Sequence, residues 1–341
     1  MSALYYVLNS SWIWEKVIPK MIRSQINTID VQSFKMKNQK IALTGQISLE
    51  NIALSLKSGE DMYHVDVQGI YIDPNLWLSS SPQKIQLNVK GLNVKSALIN
   101  FSKADLELSL FYNQNSLESL TGVFAMNSGD IHKYRWDSLK INIMGDSKHI
   151  ILDKLLAQFY EGTMEGKINL EYRPSLIYDI DIHFDQVNLG ALKQANEAIF
   201  SKLRGKARGE ISIKANPQQI ELLKVSVDVP KDAQIKASLL KPFIAHIPPS
   251  TQRKDLDLLI KLDGSVALDK ALMTMESVNK EKLKTHLVLE SKRFNFNFDM
   301  GADIGIEGGL KQLLDMAVHQ SDLQRQIFET LIQTFTVESS K

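Results

Sequence analysis

Apolar and polar side chains alternate along most of this chain, and a period of two is the pattern of β-strands rather than of helices. The clearest run covers residues 178–185. Its apolar members share one face: Tyr178, Ile180, Ile182 and Phe184. Its polar members share the other: Asp179, Asp181, His183 and Asp185. The run therefore predicts a strand with one apolar and one solvated face.

Similar runs follow one another along the chain, separated by short segments of turn residues. They cover residues 41–49, 52–56, 63–67, 85–89, 106–110, 139–143, 225–229, 256–262 and 294–298. Short connections require antiparallel pairing, because parallel strands need long crossovers. We therefore predict a mainly β fold of the β-rich α+β type, built on a long, curled, largely antiparallel sheet with an apolar inner face. A soft boundary near residue 150 divides this region.

Helical spacing of apolar residues interrupts the strand pattern at a few places. Residues 189–203 and 235–247 predict short inserted helices, and residues 310–335 predict a C-terminal amphipathic helix. The segment 1–28 combines aromatic and basic residues, which suits either a cap on the β core or a helix lying in a membrane interface. Its interface candidates are Trp12, Trp14, Lys16 and Lys20. The expected organisation is a segment 1–28, a β region 29–306 and a helical segment 307–341.

Composition excludes several classes of protein. With 44% apolar residues the chain is too apolar for disorder, and a net charge of +1 gives no general attraction to nucleic acid or anionic lipid. The absence of cysteine excludes disulfides and thiolate chemistry. No apolar run reaches the roughly 18 residues of a spanning helix. Residues 3–8 are too short an apolar segment for a signal peptide.

The polar faces give little sign of chemistry. Asp179, Asp181, His183 and Asp185 could form a metal ladder, but residues two apart on a strand lie about 7 Å apart and cannot share one ion unaided. A solvated face is favoured, and no cofactor or metal is expected. Alternating phenylalanines at residues 294–298 could stack on single-stranded nucleic acid. Because no dense basic cluster accompanies them, a role in the core or in an apolar groove is favoured.

One stretch carries a likeness to a known family. Phe159-Tyr160-Glu161-Gly162 is followed by Gly166, by a strand ending in Val187-Asn188-Leu189, by a short helix, and by Gly205 and Gly209. This arrangement resembles the AsmA family of bacterial envelope proteins, which includes the TamB-like proteins and is related in architecture to bridge-like lipid-transfer proteins. The resemblance implies a long β-rich structure on the periplasmic side of the inner membrane. Its apolar face would contact phospholipid.

A large sheet with one apolar face must have that face covered. Roughly a dozen strands with three apolar side chains each present more than about 1,000 Å², whereas the largest patch on an ordinary monomer is a few hundred Å². A second sheet, curling of the sheet on itself or the acyl chains of a lipid could cover it. The pattern alone leaves open whether the interior is filled by the protein or forms a groove.

These observations lead to one expected function and two alternatives. We expect a non-enzymatic envelope protein of AsmA type that binds or conducts phospholipid and contributes to outer-membrane homeostasis. Its partners would be phospholipid or a membrane surface and other envelope proteins, not nucleic acid. The expected groove residues are Ile180, Ile182, Phe184, Phe294, Phe296 and Phe298. The alternatives are an assembly factor for envelope proteins and, more remotely, a carbohydrate-active β enzyme.

Overall fold

The computed structural model describes residues 30–303 with short gaps. The gaps are residues 43–44, 59–60, 74–82, 98, 114–115, 132–133, 172–175, 195–196, 217–219, 231–232, 242–249, 278–281 and 293. The chain divides into two compact units, of which the first ends at Gln158 and the second begins at Phe159. The predicted N-terminal and C-terminal helices, with Trp12, Trp14, Lys16 and Lys20, lie outside the described residues.

The first unit is built from strands that pair mostly with their neighbours in sequence. They are β1 (Asp30–Ile41), β2 (Ile47–Ser58), β3 (Asp61–Asp73), β4 (Gln83–Lys95), β5 (Ile99–Asn113), β6 (Ser116–Met126), β7 (Ser128–Ile131), β8 (Tyr134–Trp136), β9 (Ser138–Gly145) and β10 (His149–Phe159). Strands β1 to β6 form a continuous antiparallel meander. Strand β9 pairs with both β6 and β10, and the short β7 pairs with β5 and β8.

The second unit contains a main sheet and a smaller one. Its strands are β11 (Gly162–Glu171), β12 (Ile177–Asn188), β13 (Leu203–Arg204), β14 (Lys206–Ala215), β15 (Ile220–Val229), β16 (Ala233–Lys236), β17 (Ser265–Leu268), β18 (Lys270–Ser277), β19 (Lys282–Ser291) and β20 (Phe294–Asp303). The main sheet runs β11, β12, β14, β15, β18, β19, β20, and the small sheet runs β13, β16, β17. Every strand pairing given for the described residues is antiparallel, so the prediction of a mainly β, largely antiparallel fold is confirmed.

Two helices are described in the second unit. Helix α1 (Glu197–Phe200) is a single turn preceded by the 3-10 turn Ala191–Gln194, and α2 (Thr251–Lys261) has three turns. A second 3-10 turn, Ala237–Leu240, follows β16. None of the helices among the described residues combines the length and the apolar composition that crossing a membrane requires.

Residues with a left-handed backbone conformation (positive φ) lie in a line across neighbouring strands of the first unit. Asn51 in β2 and Gly91 in β4 have φ of 53° and 59°, and both lie opposite Gln68 of β3 in the register. Lys103 in β5 has φ of 54° and continues the line. A bulged or left-handed residue bends its strand and sends the next side chain to the opposite face. We call this row of residues the crease.

At the crease the apolar residues move from odd to even positions, or the reverse, within a strand. Because the crease also turns the strand over, the apolar side chains stay on one face of the sheet. In β2 the apolar positions shift from Ile47 and Leu49 to Ile52 and Leu54, and in β5 they shift from Leu106 to Phe101. Side chains of neighbouring strands hold the crease. The backbone N–H of Gly91 donates to Asp105 Oδ1 at 2.9 Å, and the N–H of Lys103 donates to Asn93 Oδ1 at 2.9 Å.

The buried core of the second unit lies where the small sheet and α2 pack on the main sheet. Leu256 of α2 is 1% exposed, and Leu240 of the preceding 3-10 turn is equally buried. They share a cluster with Val229, Ile235 and residues of β17. This layer contacts the main sheet through partly buried residues that include Phe184, Val227, Ala271 and Leu289.

Two local predictions in this region were wrong. Residues 256–262 alternate like a strand but form the second half of α2 and its C-cap, Leu262. Leu256 and Ile260 lie four apart and face the core, while Leu258 and Leu262 are exposed. Ser250 caps the helix by accepting the N–H of Arg253 at 3.2 Å. Ile235, expected to begin a helix, lies in β16, where it pairs with Leu203 and Val266.

The Phe159-Tyr160-Glu161-Gly162 turn is fastened to the end of β12 by Asn188. Tyr160 and Glu161 both have left-handed φ, 48° and 66°, a conformation that asparagine and glycine adopt more easily. Asn188 donates its backbone N–H to Tyr160 O at 3.0 Å and its side-chain amide to Glu161 Oε2 at 3.0 Å. The turn at Glu161 and the end of β12 at Asn188, which are distant in sequence, are therefore in direct contact.

A first prediction concerns the packing of α2. Replacing Leu256 with alanine removes a fully buried side chain, and we expect the free energy of unfolding to fall by about 2–5 kcal/mol. Leu258, which is 56% exposed in the same helix, provides the matched control. Leu258→Ala should change stability by about 0.5 kcal/mol or less. Urea unfolding of the two variants measures the difference, and equal losses would contradict this packing.

A second prediction concerns the crease. Gly91→Ala places a Cβ on a left-handed residue, 2.8 Å from the Gln68 side chain, and we expect a loss of about 1–2 kcal/mol. Lys103→Gly makes the reverse change on the same line and should not destabilise the protein, because it relieves left-handed strain. Thermal unfolding compares the two. A stable Gly91→Ala variant would show that φ is not left-handed at this position.

Candidate functional site

Mostly apolar residues of the second unit occupy register positions that form rows across the strands of the main sheet. The first row is Met164, Phe184, Gly209, Val227, Met273, Leu287 and Phe298. The second row is Gly166, Ile182, Ile211, Val225, Met275, Thr285 and Met300. A third row begins with Ile168, Ile180, Ile213 and Leu223. We call the side of the sheet that carries these rows the apolar face.

The rows result from register, which aligns alternating strands in phase. Ile180 pairs with Ile168 and Ile213, and Ile182 pairs with Ile211. Paired side chains on one face lie about 4.5–5.5 Å apart at Cβ, so each row is a continuous apolar strip. The apolar positions on β12 are thus joined to a surface seven strands wide.

Much of the apolar face is only half-buried. Ile180, Ile182 and Ile211 are neither fully buried nor fully exposed. They do not belong to the cluster formed with the small sheet and α2, which reaches Phe184 and Val227 in the first row. Within the described residues, that layer therefore covers one end of the apolar face. At the other end Ile213 packs against a separate buried cluster that contains Leu223, so Ile180, Ile182 and Ile211 lie between the two buried clusters.

Glycines shape the surface near Phe184. A Cβ at Gly209 would lie 2.6 Å from Phe184 Cζ and would also collide with the carbonyl oxygen of Ser226. A Cβ at Gly166 would lie 3.1 Å from Ile182 Cγ1. Both glycines leave room for the larger side chain on the neighbouring strand, a pairing that stabilises glycine positions in sheets.

The opposite face of the main sheet is polar and carries ion pairs between neighbouring strands. Lys224 Nζ lies 2.7 Å from Glu210 Oε1, and Arg208 Nη2 lies 2.9 Å from Asp228 Oδ2. The hydrogen bond and charge of Lys224 lower the pKa of Glu210, and the same contact raises the pKa of Lys224. These pairs keep one side of the sheet solvated, so the sheet is amphipathic.

The structure places three of the expected groove residues and leaves three undescribed at the level of side chains. Ile180, Ile182 and Phe184 lie on the apolar face, in three successive rows of β12. Phe296 and Phe298 occupy register positions opposite Leu289 and Leu287, and Phe294 lies opposite Ser291. The side chains of the three phenylalanines lie outside the described part of the chain.

The polar residues of β12 that were considered as metal ligands lie on the polar face of the sheet. Asp181 pairs with Lys167 and Ser212, and His183 pairs with Glu165 and Glu210, all on the polar face. No group of three or more histidine, aspartate or glutamate side chains within the described residues has an arrangement that could hold a metal ion.

Sequence reasoning missed the contribution of β18 to the apolar face. Met273 and Met275 continue the first and second rows, where they pair with Val227 and Val225. The signal was present as the alternation Met273-Thr274-Met275. Unbranched methionine side chains adapt to irregular apolar partners, which suits an incompletely packed surface.

Comparison with known proteins gives no further guide to the site. No protein-family model, no curated protein and no solved structure matches this chain.

A third prediction follows from the Glu210–Lys224 pair. A lowered folded-state pKa means that Glu210 stabilises the fold above the ordinary glutamate pKa, and that this contribution is lost as the pH falls through the lowered value. Lys224→Met removes the hydrogen bond, so we expect the pKa of Glu210 to rise toward its ordinary value. Carbon-detected NMR titration of the side-chain carboxylate measures it. An unchanged pKa would show that the pair does not form in solution.

Proposed function

We propose that this protein is a non-enzymatic envelope protein that binds or conducts phospholipid along the apolar face. The observation that carries the proposal is the set of apolar rows across the main sheet, in which Ile180, Ile182 and Ile211 are half-buried, backed by a charged face on the other side. An amphipathic sheet of this kind offers acyl chains an apolar surface while its reverse side remains in water.

The energetics favour a ligand with long hydrocarbon chains. Each methylene removed from water contributes about 0.8 kcal/mol, so an acyl chain half-buried against the rows gains several kcal/mol. Strips running across Ile180, Ile182 and Ile211 give repeated contacts without a deep pocket. A phospholipid could keep its head group in water at the edge of such a strip, so the head group would need no dedicated site.

The cell-envelope part of the proposal has a separate basis. It depends on the likeness of the Phe159–Gly209 stretch to AsmA proteins, which implies the periplasmic side of the inner membrane and a part in outer-membrane homeostasis. Asn188 joins the turn at Glu161 to the end of β12, so two parts of the AsmA-like sequence pattern are in contact. The likeness and the apolar rows are independent supports.

A fourth prediction tests the apolar face directly. The chain has no cysteine, so single cysteines can be introduced and labelled with a benzophenone photoprobe. Ile211→Cys lies on the apolar face and Ser212→Cys, its neighbour in β14, lies on the polar face. With phosphatidylethanolamine and phosphatidylglycerol vesicles, we expect crosslinking to lipid to favour Ile211→Cys by about tenfold, the ratio given by 1.4 kcal/mol.

Mass spectrometry of the crosslinked products distinguishes the rival functions. Equal labelling from both positions, or no lipid adduct from either, would refute lipid binding at this face. Adducts formed only with envelope proteins in a membrane extract, and not with lipid, would favour the assembly-factor alternative. Circular dichroism of both variants confirms that each has folded before it is labelled.

A further inference from the structure

The first unit has a shallow depression on the polar side of its sheet. It crosses β4, β5, β6 and β9 and encloses a volume of about 470 Å³. Strands lie about 4.8 Å apart, so a site crossing four strands is roughly 14 Å wide. That width suits an extended ligand better than a single small molecule.

The depression is lined by polar groups of which only one is charged. Their side chains are amides, hydroxyls and one carboxylate: Gln86, Asn88, Glu107, Ser109, Thr121 and Asn142. They occupy two adjacent rows of the register. Asn88 lies opposite Glu107 in one row, and Ser109 lies between Gln86 and Thr121 in the other.

These side chains have hydrogen-bonding capacity to spare. Within the described residues, none of the six makes a side-chain hydrogen bond to the protein. Other asparagines of the same unit do: Asn93 accepts the N–H of Lys103, and Asn113 donates to Glu118 at 2.7 Å. The donors and acceptors of the depression are therefore free to bind a ligand in place of water.

Apolar groups lie among and beside the polar ones. Met144 is 41% exposed in the floor of the depression, where it lies opposite Thr121, and Val123 lies opposite Asn142. Tyr71 of β3, 39% exposed, lies directly opposite Asn88. The surface thus alternates hydrogen-bonding groups with patches that can contact C–H groups and, at Tyr71, an aromatic ring.

This chemistry excludes several ligand classes. An anion would meet Glu107 without a dense basic cluster to bind it, and a metal ion would find a single carboxylate. An added peptide strand needs free backbone groups at a sheet edge, whereas β5 and β6 lie inside the sheet and pair on both sides.

We propose that the depression binds a neutral oligosaccharide. Side-chain amides present a donor and an acceptor side by side, which matches sugar hydroxyls that both donate and accept. Val123 and Met144 line the site and supply surfaces for the apolar C–H faces of the sugar rings, and Tyr71 flanks the site on β3. Glu107 is the only carboxylate that lines the site, whereas glycoside hydrolysis requires two, so the site binds rather than cleaves.

The test uses Met144 as a reporter inside the site. Methionine methyl groups are labelled with carbon-13, and maltotetraose, cellotetraose or chitotetraose is added to about 10 mM, enough to detect millimolar binding near −4 kcal/mol. We expect at least one of these sugars to shift the Met144 resonance in a saturable way. Met62, 38% exposed on β3 outside the depression, should not move.

Variants then assign the binding to the polar lining. Asn88→Ala and Asn142→Ala each remove one hydrogen-bonding amide, and we expect each to weaken binding about fivefold, the equivalent of roughly 1 kcal/mol. Gln158→Ala, on the same face in β10 but outside the depression, is the matched control and should bind like the unaltered protein. The Met62 resonance reports whether each variant has folded.

Three results would overturn the proposal. One is the absence of any Met144 shift with all three sugars. Another is a parallel shift of Met144 and Met62, which shows non-specific contact. The last is unchanged affinity in both folded asparagine variants, which would show that the sugar binds without the amides.

Discussion

The lateral alignment of neighbouring strands is the constraint on which this structure depends. Because side chains alternate between faces, a slip of one residue between two strands would send every apolar side chain of one strand to the polar face. In the second unit, pairs such as Ile180 with Ile213 maintain the alignment over seven strands. Ion pairs such as Lys224 with Glu210 favour the same alignment on the reverse side. The amphipathic character of the sheet is thus a property of register more than of any one residue.

The fold class and the apolar side of β12 could be predicted from the sequence, because a period of two is read directly from Tyr178 to Asp185. The crease could not be predicted from the sequence. In β2 and β5 the alternation changes phase within one continuous strand, so the pattern looked like separate short strands. The phase change depends on positive φ at Asn51 and Lys103, and most asparagines and lysines, unlike many glycines, have negative φ.

Helix α2 shows a second limit. Leu256, Leu258, Ile260 and Leu262 fit period two, yet Leu256, Leu259 and Ile260 also fit helical spacing, and short apolar runs do not distinguish the two. The burial of Leu256 by residues distant in sequence decided the outcome. For the candidate site, β12 supplied the correct side of the sheet, but which strands extend it depends on pairings that the sequence does not specify. The oligosaccharide site has no sequence motif, because it is assembled from four strands.

The order of strand pairing bears on how the chain assembles. Strands β2 to β6 each pair with the strand just before them, so a newly made strand finds its partner already present. Such local pairing suits progressive folding during synthesis or translocation, when only the N-terminal part is available. A longer separation occurs at β18, which pairs with β15 across an intervening segment that includes α2. Strand β18 can therefore join the sheet only after the segment between β15 and β18 has emerged.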